Sequence, residues 1–181
     1  MAHVTLVDPA SADASVKPTL DKINGAFGVV PNMFKAVANS PAALVSMWGA
    51  FGALGSGKLG ARLGEEIAVA VANANACEYC LAAHTALGKK AGASGDEMAD
   101  AQVGRSADPR TQAALTFALK VVRDRAAVTQ SDVAALKAAG FDDEGVVEII
   151  AHVALNLFTN YVNVALDVPV DFPGVRLKQA A

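Results

Sequence analysis

Both cysteines of this chain lie three residues apart, as Cys77 and Cys80, and His84 follows four residues after the second. On a helix beginning near Cys77 all three side chains share one face, because residues three and four apart are neighbours there. The same spacing brings the two sulfurs close enough to bridge with little backbone movement. A reversible disulfide beside an imidazole is the arrangement of a dithiol redox centre. Histidine can take the thiol proton, since its unperturbed pKa of about 6.5 lies near physiological pH. Thiolates in the first turn are further favoured by the helix N-terminus, which lowers a cysteine pKa from its usual value of about 8.5.

Other chemistry fits the same residues. Buried cysteine often serves only as a small apolar side chain. Cys-x-x-Cys-x-x-x-His supplies three zinc ligands and leaves the fourth to a distant residue, such as His152 or a carboxylate. Glu65 and Glu66 precede Cys77 by twelve and eleven residues. A helix carrying them, turned back at Asn73-Ala74-Asn75, would set one carboxylate against His84. Glutamate near a helix start is also ordinary compensation of the helix dipole.

The elements that must position these residues read as helices throughout. Lys17-Pro18-Thr19-Leu20 opens a helix to about Phe27, and Gly28 to Asn32 reads as a turn. Met33 to Asn39 forms a short helix. Ser40 with Pro41 then caps and opens one that runs through Phe51, until glycines 52, 55, 57 and 60 end or loosen it. A strong helical pattern runs from Ala61 to Asn73. After the asparagine-rich interruption, a second starts at Ala76 or Cys77 and continues to Lys90, with Gly92 as its stop. Ser94-x-x-Glu97 is a capping box for a helix ending near Gly104, and Asp108-Pro109 opens one from Thr111 to Ala126. Thr129-x-x-Asp132 starts another that Gly140 closes. Asp142 caps the last, from about Asp143 to Leu166. No segment alternates as a strand does. The expectation is an all-α single domain of seven to nine helices, with loose termini at residues 1–15 and 174–181.

Composition narrows the function. A length of 181 residues suits one good-sized core rather than two domains. Hydrophobic residues make up 53% and charged residues 18%, which is apolar for a monomer and points to a homo-oligomer. A net charge of −3 without a basic cluster argues against a nucleic-acid partner. No basic region followed by an apolar run opens the chain, so a secretory signal is not expected. The uncharged stretch between Lys35 and Lys58 is broken by Asn39, Ser40, Pro41 and glycines, so no membrane span is expected there. A cytoplasmic protein is the expectation, and in that compartment a cysteine pair is redox-active, catalytic or metal-binding rather than a structural staple.

The combined pattern Glu-x(11)-Cys-x-x-Cys-x-x-x-His, as Glu65, Cys77, Cys80 and His84, resembles the alkylhydroperoxidase D-like (AhpD-like) branch of the carboxymuconolactone decarboxylase superfamily. The likeness is strongest over residues 61–92. It extends from Pro31-Asn32-Met33-Phe34 to Asp171-Phe172-Pro173, as in the peroxidase-related subgroup. The resemblance implies an AhpD-like helical bundle assembled as a homohexamer, with a homotrimer as the alternative. It implies thiol-dependent reduction of hydrogen peroxide or an organic hydroperoxide, with no metal or flavin and no cofactor beyond a redox-active Cys77–Cys80 disulfide. By family role Cys80 is the peroxidatic nucleophile, Cys77 the resolving cysteine, and Glu65 with His84 the proton relay. An external dithiol, such as a lipoyl-bearing protein, restores the thiols. The best-known members place a histidine directly before the second cysteine, where this chain has Tyr79, a candidate to support the relay in its stead. The helix dipole alone favours Cys77 as the thiolate, whereas His84 lies one turn from Cys80. Two further readings stay open: a lactone decarboxylase, against which the cysteine pair counts, and a non-enzymatic redox or zinc-binding module.

A second polar line, His152, Asn156, Asn160 and Asn163, recurs along an otherwise apolar helix. Buried amides need partners, so it faces either an active-site cavity or a hydrogen-bonded seam between helices or subunits. Met33, Phe34, Trp48 and Phe51 read as core, or as the wall of a peroxide pocket.

Overall fold

The computed structural model describes residues 2–178, and among these there are nine helices and no strand. They are α1 (Lys17–Phe27), α2 (Asn32–Val37), α3 (Pro41–Gly55), α4 (Ala61–Ala74), α5 (Glu78–Lys90), α6 (Gly95–Ala101), α7 (Pro109–Arg123), α8 (Gln130–Ala138) and α9 (Asp143–Ala165). The starts are written in the sequence. The Ser40 side chain accepts from the Ala43 amide, Asp108 from Thr111 and Asp142 from Gly145. Ser94 with Glu97 and Thr129 with Asp132 form complete capping boxes. The ends are less legible. Helix α7 stops at Arg123 rather than Ala126, because Arg125 and Ala126 turn left-handed, at φ of 51° and 63°.

Helix α4 is the axis of the bundle. It packs against α5, α6, α7 and α9, and nine of its fourteen residues are buried. Small side chains make that possible. In Ile67-Ala68-Val69-Ala70-Val71-Ala72 every residue is buried, and the alternating alanines let neighbouring helices approach from several sides. Where α4 meets α5, a Cβ on Gly88 would collide with the end of Met98 and lie 3.4 Å from the Glu65 Cβ. Where α4 meets α9, a Cβ on Gly64 would lie 3.0 Å from the His152 ring. Both glycines therefore set helix separations next to residues of interest.

The uncharged stretch between Lys35 and Lys58 folds into parts of α2 and α3, separated at Ser40. Helix α9 is long and apolar enough to cross a membrane by length and composition. It packs against α2, α3, α4, α5, α7 and α8, and it carries the polar line inward.

The terminal segments lack regular structure but are not loose over the described residues. His3 N–H donates to Leu166 O at 2.8 Å and Val7 N–H to Lys35 O at 3.1 Å. At the other end, Asn73 Nδ2 donates to Lys178 O at 3.0 Å while its Oδ1 accepts from Lys178 N–H at 2.9 Å. Gln102 bridges Asn73 Oδ1 and Arg176 O at 2.9 and 2.8 Å. Residues 179–181 lie outside the described residues. Irregular sequence predicted freedom here, but side-chain amides on α4 and beside α6 hold the backbone. Asn73→Ala is expected to lower stability by about 1 kcal/mol, the net scale of a lost intramolecular hydrogen bond, because two of its three bonds are exposed. It also exposes Arg176 to trypsin, which limited proteolysis and a denaturant titration will read.

Candidate functional site

The site begins with a chain reversal. Helix α4 ends at Ala74, Ala76 takes a left-handed conformation at φ 53°, and the Cys77 amide returns to Ala72 O at 2.9 Å. Cys77 is thereby the N-cap of α5 rather than a helical residue, and its Sγ accepts from the Cys80 amide at 3.2 Å. Its sulfur takes the place that serine or aspartate usually fills. Cys80 is the third residue of α5, and the two cysteines form a disulfide with their Cα atoms 5.3 Å apart. Both are buried, at 1% and 2% exposure.

The reversal lays α5 along α4 and brings His84 to Glu65, with Nδ1 and Oε2 2.7 Å apart. Against a carboxylate acceptor Nδ1 carries the hydrogen, which leaves Nε2 as the basic nitrogen. Of the two neighbouring glutamates only Glu65 faces the histidine. Glu66 is turned to Arg62, Oε1 to Nε 3.3 Å, and burial raises its pKa despite that partner. From α9, Asn163 Nδ2 donates to Cys80 Sγ at 3.3 Å. That contact falls on the third residue of α5 and provides a donor for a thiolate.

Tyr79 plays a different part from a relay histidine. Its hydroxyl accepts from the Met33 amide at 3.2 Å and bonds the Asp171 carboxylate, which itself accepts from Asn32 N–H at 2.7 Å. Burial first, then Asp171, pushes the phenol pKa well above its ordinary value, so it stays protonated. The ring stacks edge-on with Phe172, centroids 5.8 Å apart. Tyr79 thus anchors α2 and the C-terminal segment beside the disulfide, with its hydroxyl committed away from the sulfurs.

Above Cys80 and His84 lies a cavity of about 310 Å³. Its walls are aromatic: Phe27, Phe34, Trp48, Phe51, Tyr79 and Phe172. Polar groups gather at one end, as Glu65, Cys80, His84, Thr159 and Asn163. Phe34 is the hub of the aromatic cluster, with Trp48 at 5.8 Å, Phe51 at 6.0 Å and Phe27 at 6.1 Å. Behind Glu65 and His84 is a second cavity of about 130 Å³, which His152 also lines. His152 Nε2 is buried without a partner. Burial lowers the His152 pKa, the Glu148 and Glu65 carboxylates oppose that, and His84 adds to it. Among the described residues, no three His, Cys, Asp or Glu side chains converge as a metal site.

The structure therefore gathers Cys77, Cys80, His84 and Glu65 in one place, with Tyr79 in the wall. The polar line on α9 divides between the two roles open to it. Asn163 reaches Cys80, and His152 lines the rear cavity. Asn160 instead accepts from Asn75 Nδ2 at 3.0 Å, a seam between helices, and Asn156 bonds His152 O on its own helix at 2.8 Å. Met33, Phe34, Trp48 and Phe51 all line the front cavity. Sequence reasoning missed Thr159, which sits one turn before Asn163 on that same line. Phe172 had no local signal, since it comes from an irregular segment more than ninety residues from Cys80.

The carboxymuconolactone decarboxylase family model matches residues 40–124, which include both cysteines, Glu65 and His84. The chain is similar in structure to a peroxidase-related protein from Silicibacter sp. TM1040, with TM-score 0.82 and 25% identity over 93% of this chain and 91% of that one. It is similar to an alkylhydroperoxidase AhpD core, a peroxidase-related protein from Ralstonia eutropha JMP134, with TM-score 0.83 and 27% identity over 94% and 92%. It shares its fold with the debrominase Bmp8, seen in complex with 2,3,4-tribromopyrrole, at TM-score 0.77 and 22% identity over 94% of each chain. No curated protein matches the sequence.

The Asn163 contact carries a prediction. Asn163→Ala is expected to slow alkylation of reduced Cys80 at neutral pH about fivefold, the effect of losing one hydrogen bond worth ~1 kcal/mol. Iodoacetamide kinetics with mass-spectrometric assignment of the modified cysteine will measure it, and an unchanged rate would remove Asn163 from the site.

Proposed function

We propose that this chain, which belongs to the AhpD-like branch of the carboxymuconolactone decarboxylase superfamily, is a thiol-dependent peroxidase. The observation that carries the reading is the Glu65–His84 pair, 2.7 Å apart, at the polar end of a cavity that also contains Cys80. The peroxidase-related relatives support the same class of activity.

In the reduced protein His84 Nε2 takes the Cys80 proton, and Glu65 holds the imidazole and steadies its charge. The Cys80 thiolate attacks one peroxide oxygen. The O–O bond breaks, an S–O bond forms, and the second oxygen leaves as an alcohol or water with the proton from His84. Cys80 is then a sulfenic acid. The Cys77 thiol displaces hydroxide from that sulfur, which leaves as water with the thiol proton, and the disulfide forms. An external dithiol restores both thiols. These steps use the cysteine pair, His84, Glu65 and an external dithiol, and call on neither a metal nor a flavin. The aromatic cavity favours an organic hydroperoxide over hydrogen peroxide, because six rings offer a large apolar body something to bind and a two-oxygen molecule nothing.

We assign the protein to the cytoplasm, where a dithiol pool is available, and to a homo-oligomer. The oligomer is supported by an exposed apolar stripe on α9. Val147, Ile150, Phe158 and Tyr161 lie at exposures of 64%, 40%, 36% and 61% along one face.

One equivalent of cumene hydroperoxide added to reduced protein is expected to form the Cys77–Cys80 disulfide. Cys80→Ser is expected to lower peroxide turnover by about three orders of magnitude. Cys77→Ser should consume one equivalent and stop at a dimedone-reactive sulfenic acid. Turnover that survives Cys80→Ser would refute the mechanism. A kcat/KM for hydrogen peroxide equal to that for cumene hydroperoxide would refute the substrate preference alone.

A further inference from the structure

Among the described residues three buried polar side-chain atoms have no hydrogen-bond partner, and all three lie on the polar line of α9: His152 Nε2, Asn160 Nδ2 and Asn163 Oδ1. Of these, Asn163 stands against the cysteines. It is 4% exposed, and its amide is divided, with Nδ2 on Cys80 Sγ at 3.3 Å and Oδ1 without a partner. Asn160 Nδ2, one turn earlier, is a donor without an acceptor, so the two do not satisfy each other. A buried carbonyl left unpaired has lost its hydration and gained nothing in exchange.

A disulfide carries no hydrogen, so neither sulfur can give one to Oδ1, whichever way the amide is turned. Reduction supplies what is missing. Asn163 lines the aromatic cavity with Cys80, and it also lines a second cavity of about 300 Å³ with Cys77, where Cys80 does not reach. The N–H donors alone do not rank the two sulfurs, because Cys77 Sγ accepts from the Cys80 amide at 3.2 Å and Cys80 Sγ accepts from Asn163. The acceptor breaks the tie. A hydrogen kept on Cys77 can satisfy Oδ1, while a charge on Cys80 turns the contact at Nδ2 into a charge-assisted hydrogen bond. His84 lines the Cys80 cavity and not the Cys77 cavity, so the proton it takes is that of Cys80.

Resting on the peroxidase reading for what the two cysteines do, we propose that Asn163 is a positioning residue that assigns their roles. Its two ends hold Cys80 as the thiolate and Cys77 as the thiol, and its unpaired carbonyl biases the pair toward the reduced state. The reduction balances. The external dithiol gives two electrons and two protons and becomes a disulfide, and the Cys77–Cys80 bond breaks. One proton stays on Cys77 and the other on His84, which leaves Cys80 anionic against Nδ2. This division opposes the helix dipole, which alone would place the charge on Cys77. Because the thiolate is the nucleophile, a proton held on Cys77 keeps the resolving sulfur from competing for the peroxide.

No peroxide is needed for the test. Wild type and Asn163→Leu are brought to equilibrium in glutathione redox buffers, from the oxidised and from the reduced side, and the disulfide fraction is measured by alkylation and mass spectrometry. The disulfide of Asn163→Leu is expected to be about tenfold harder to reduce, a potential lower by about 30 mV for this two-electron couple. In the reduced variant the ratio of iodoacetamide rates, Cys80 over Cys77, is expected to fall about tenfold, the scale of two lost hydrogen bonds. An amide with a merely structural role would stabilise both redox forms. Removing an unpaired carbonyl should instead leave the Tm of the oxidised protein unchanged or raised, and lower that of the reduced protein. Asn163→Ala, with a smaller side chain, is expected to shift the equilibrium and the rate ratio in the same directions. Wild-type values of both, a rate ratio that rises, equal losses of Tm in the two forms, or opposite shifts in the two variants would overturn the proposal. If the native protein turns over no hydroperoxide while the expected shifts are found, the peroxidase reading fails and the role of Asn163 in the cysteine pair stands.

Discussion

The reversal between α4 and α5 is the constraint on which the site depends. A left-handed Ala76 and the Cys77 amide bonded to Ala72 O turn the chain so that α5 runs back along α4. The contact between Glu65 and His84 follows from that return. Glu65 near the start of α4 meets His84 in α5, and Gly88 keeps the two helices close enough for the 2.7 Å contact. The same turn makes Cys77 an N-cap, so the sulfur that satisfies a helix amide is also half of the disulfide. One atom both caps the helix and bonds to Cys80, although sulfur is a weaker acceptor than the oxygen usual at that place.

Around that turn the protein distributes polarity unevenly. Aromatic side chains close the front of the site, which strengthens the electrostatic interaction of Glu65 with His84 by excluding water. Behind it, His152 faces the same pair from α9 with a pKa lowered chiefly by burial. Tyr79 lies between the two cysteines, and its hydroxyl is tied to Met33 and Asp171. The residue is a structural pin that joins α2 and the C-terminal segment to the disulfide.

Much of this was legible in the sequence, for reasons that can be named. Capping side chains marked the starts of α3, α6, α7, α8 and α9 because those signals are local. Cys77, Cys80 and His84 sit within eight residues, so helical spacing alone brought them together. Glu65 required only one turn between two adjacent helices. What escaped depends on contacts between distant segments. Neither Phe172 nor the ties from Asn73 to Lys178 and from Gln102 to Arg176 follow any local pattern. The polar line on α9 was visible as a periodicity, but which amide reached a sulfur depended on how α9 crosses α5. The ends of α2, α6 and α7 moved because helix stops are set by backbone geometry that side chains signal weakly.

Tyr79 and Asn163 line both the aromatic cavity and the cavity beside Cys77, and so stand between them. A small, mobile or ionisable residue at position 79 would join the two cavities flanking the disulfide. Tyr79 instead fills the gap with a ring held at three points: Met33, Asp171 and Phe172. Asn163 completes the wall and turns its amide donor toward Cys80 alone. The two sulfurs are chemically alike, so any difference between them has to come from their surroundings. Here the surroundings differ on the two sides of a single aromatic ring.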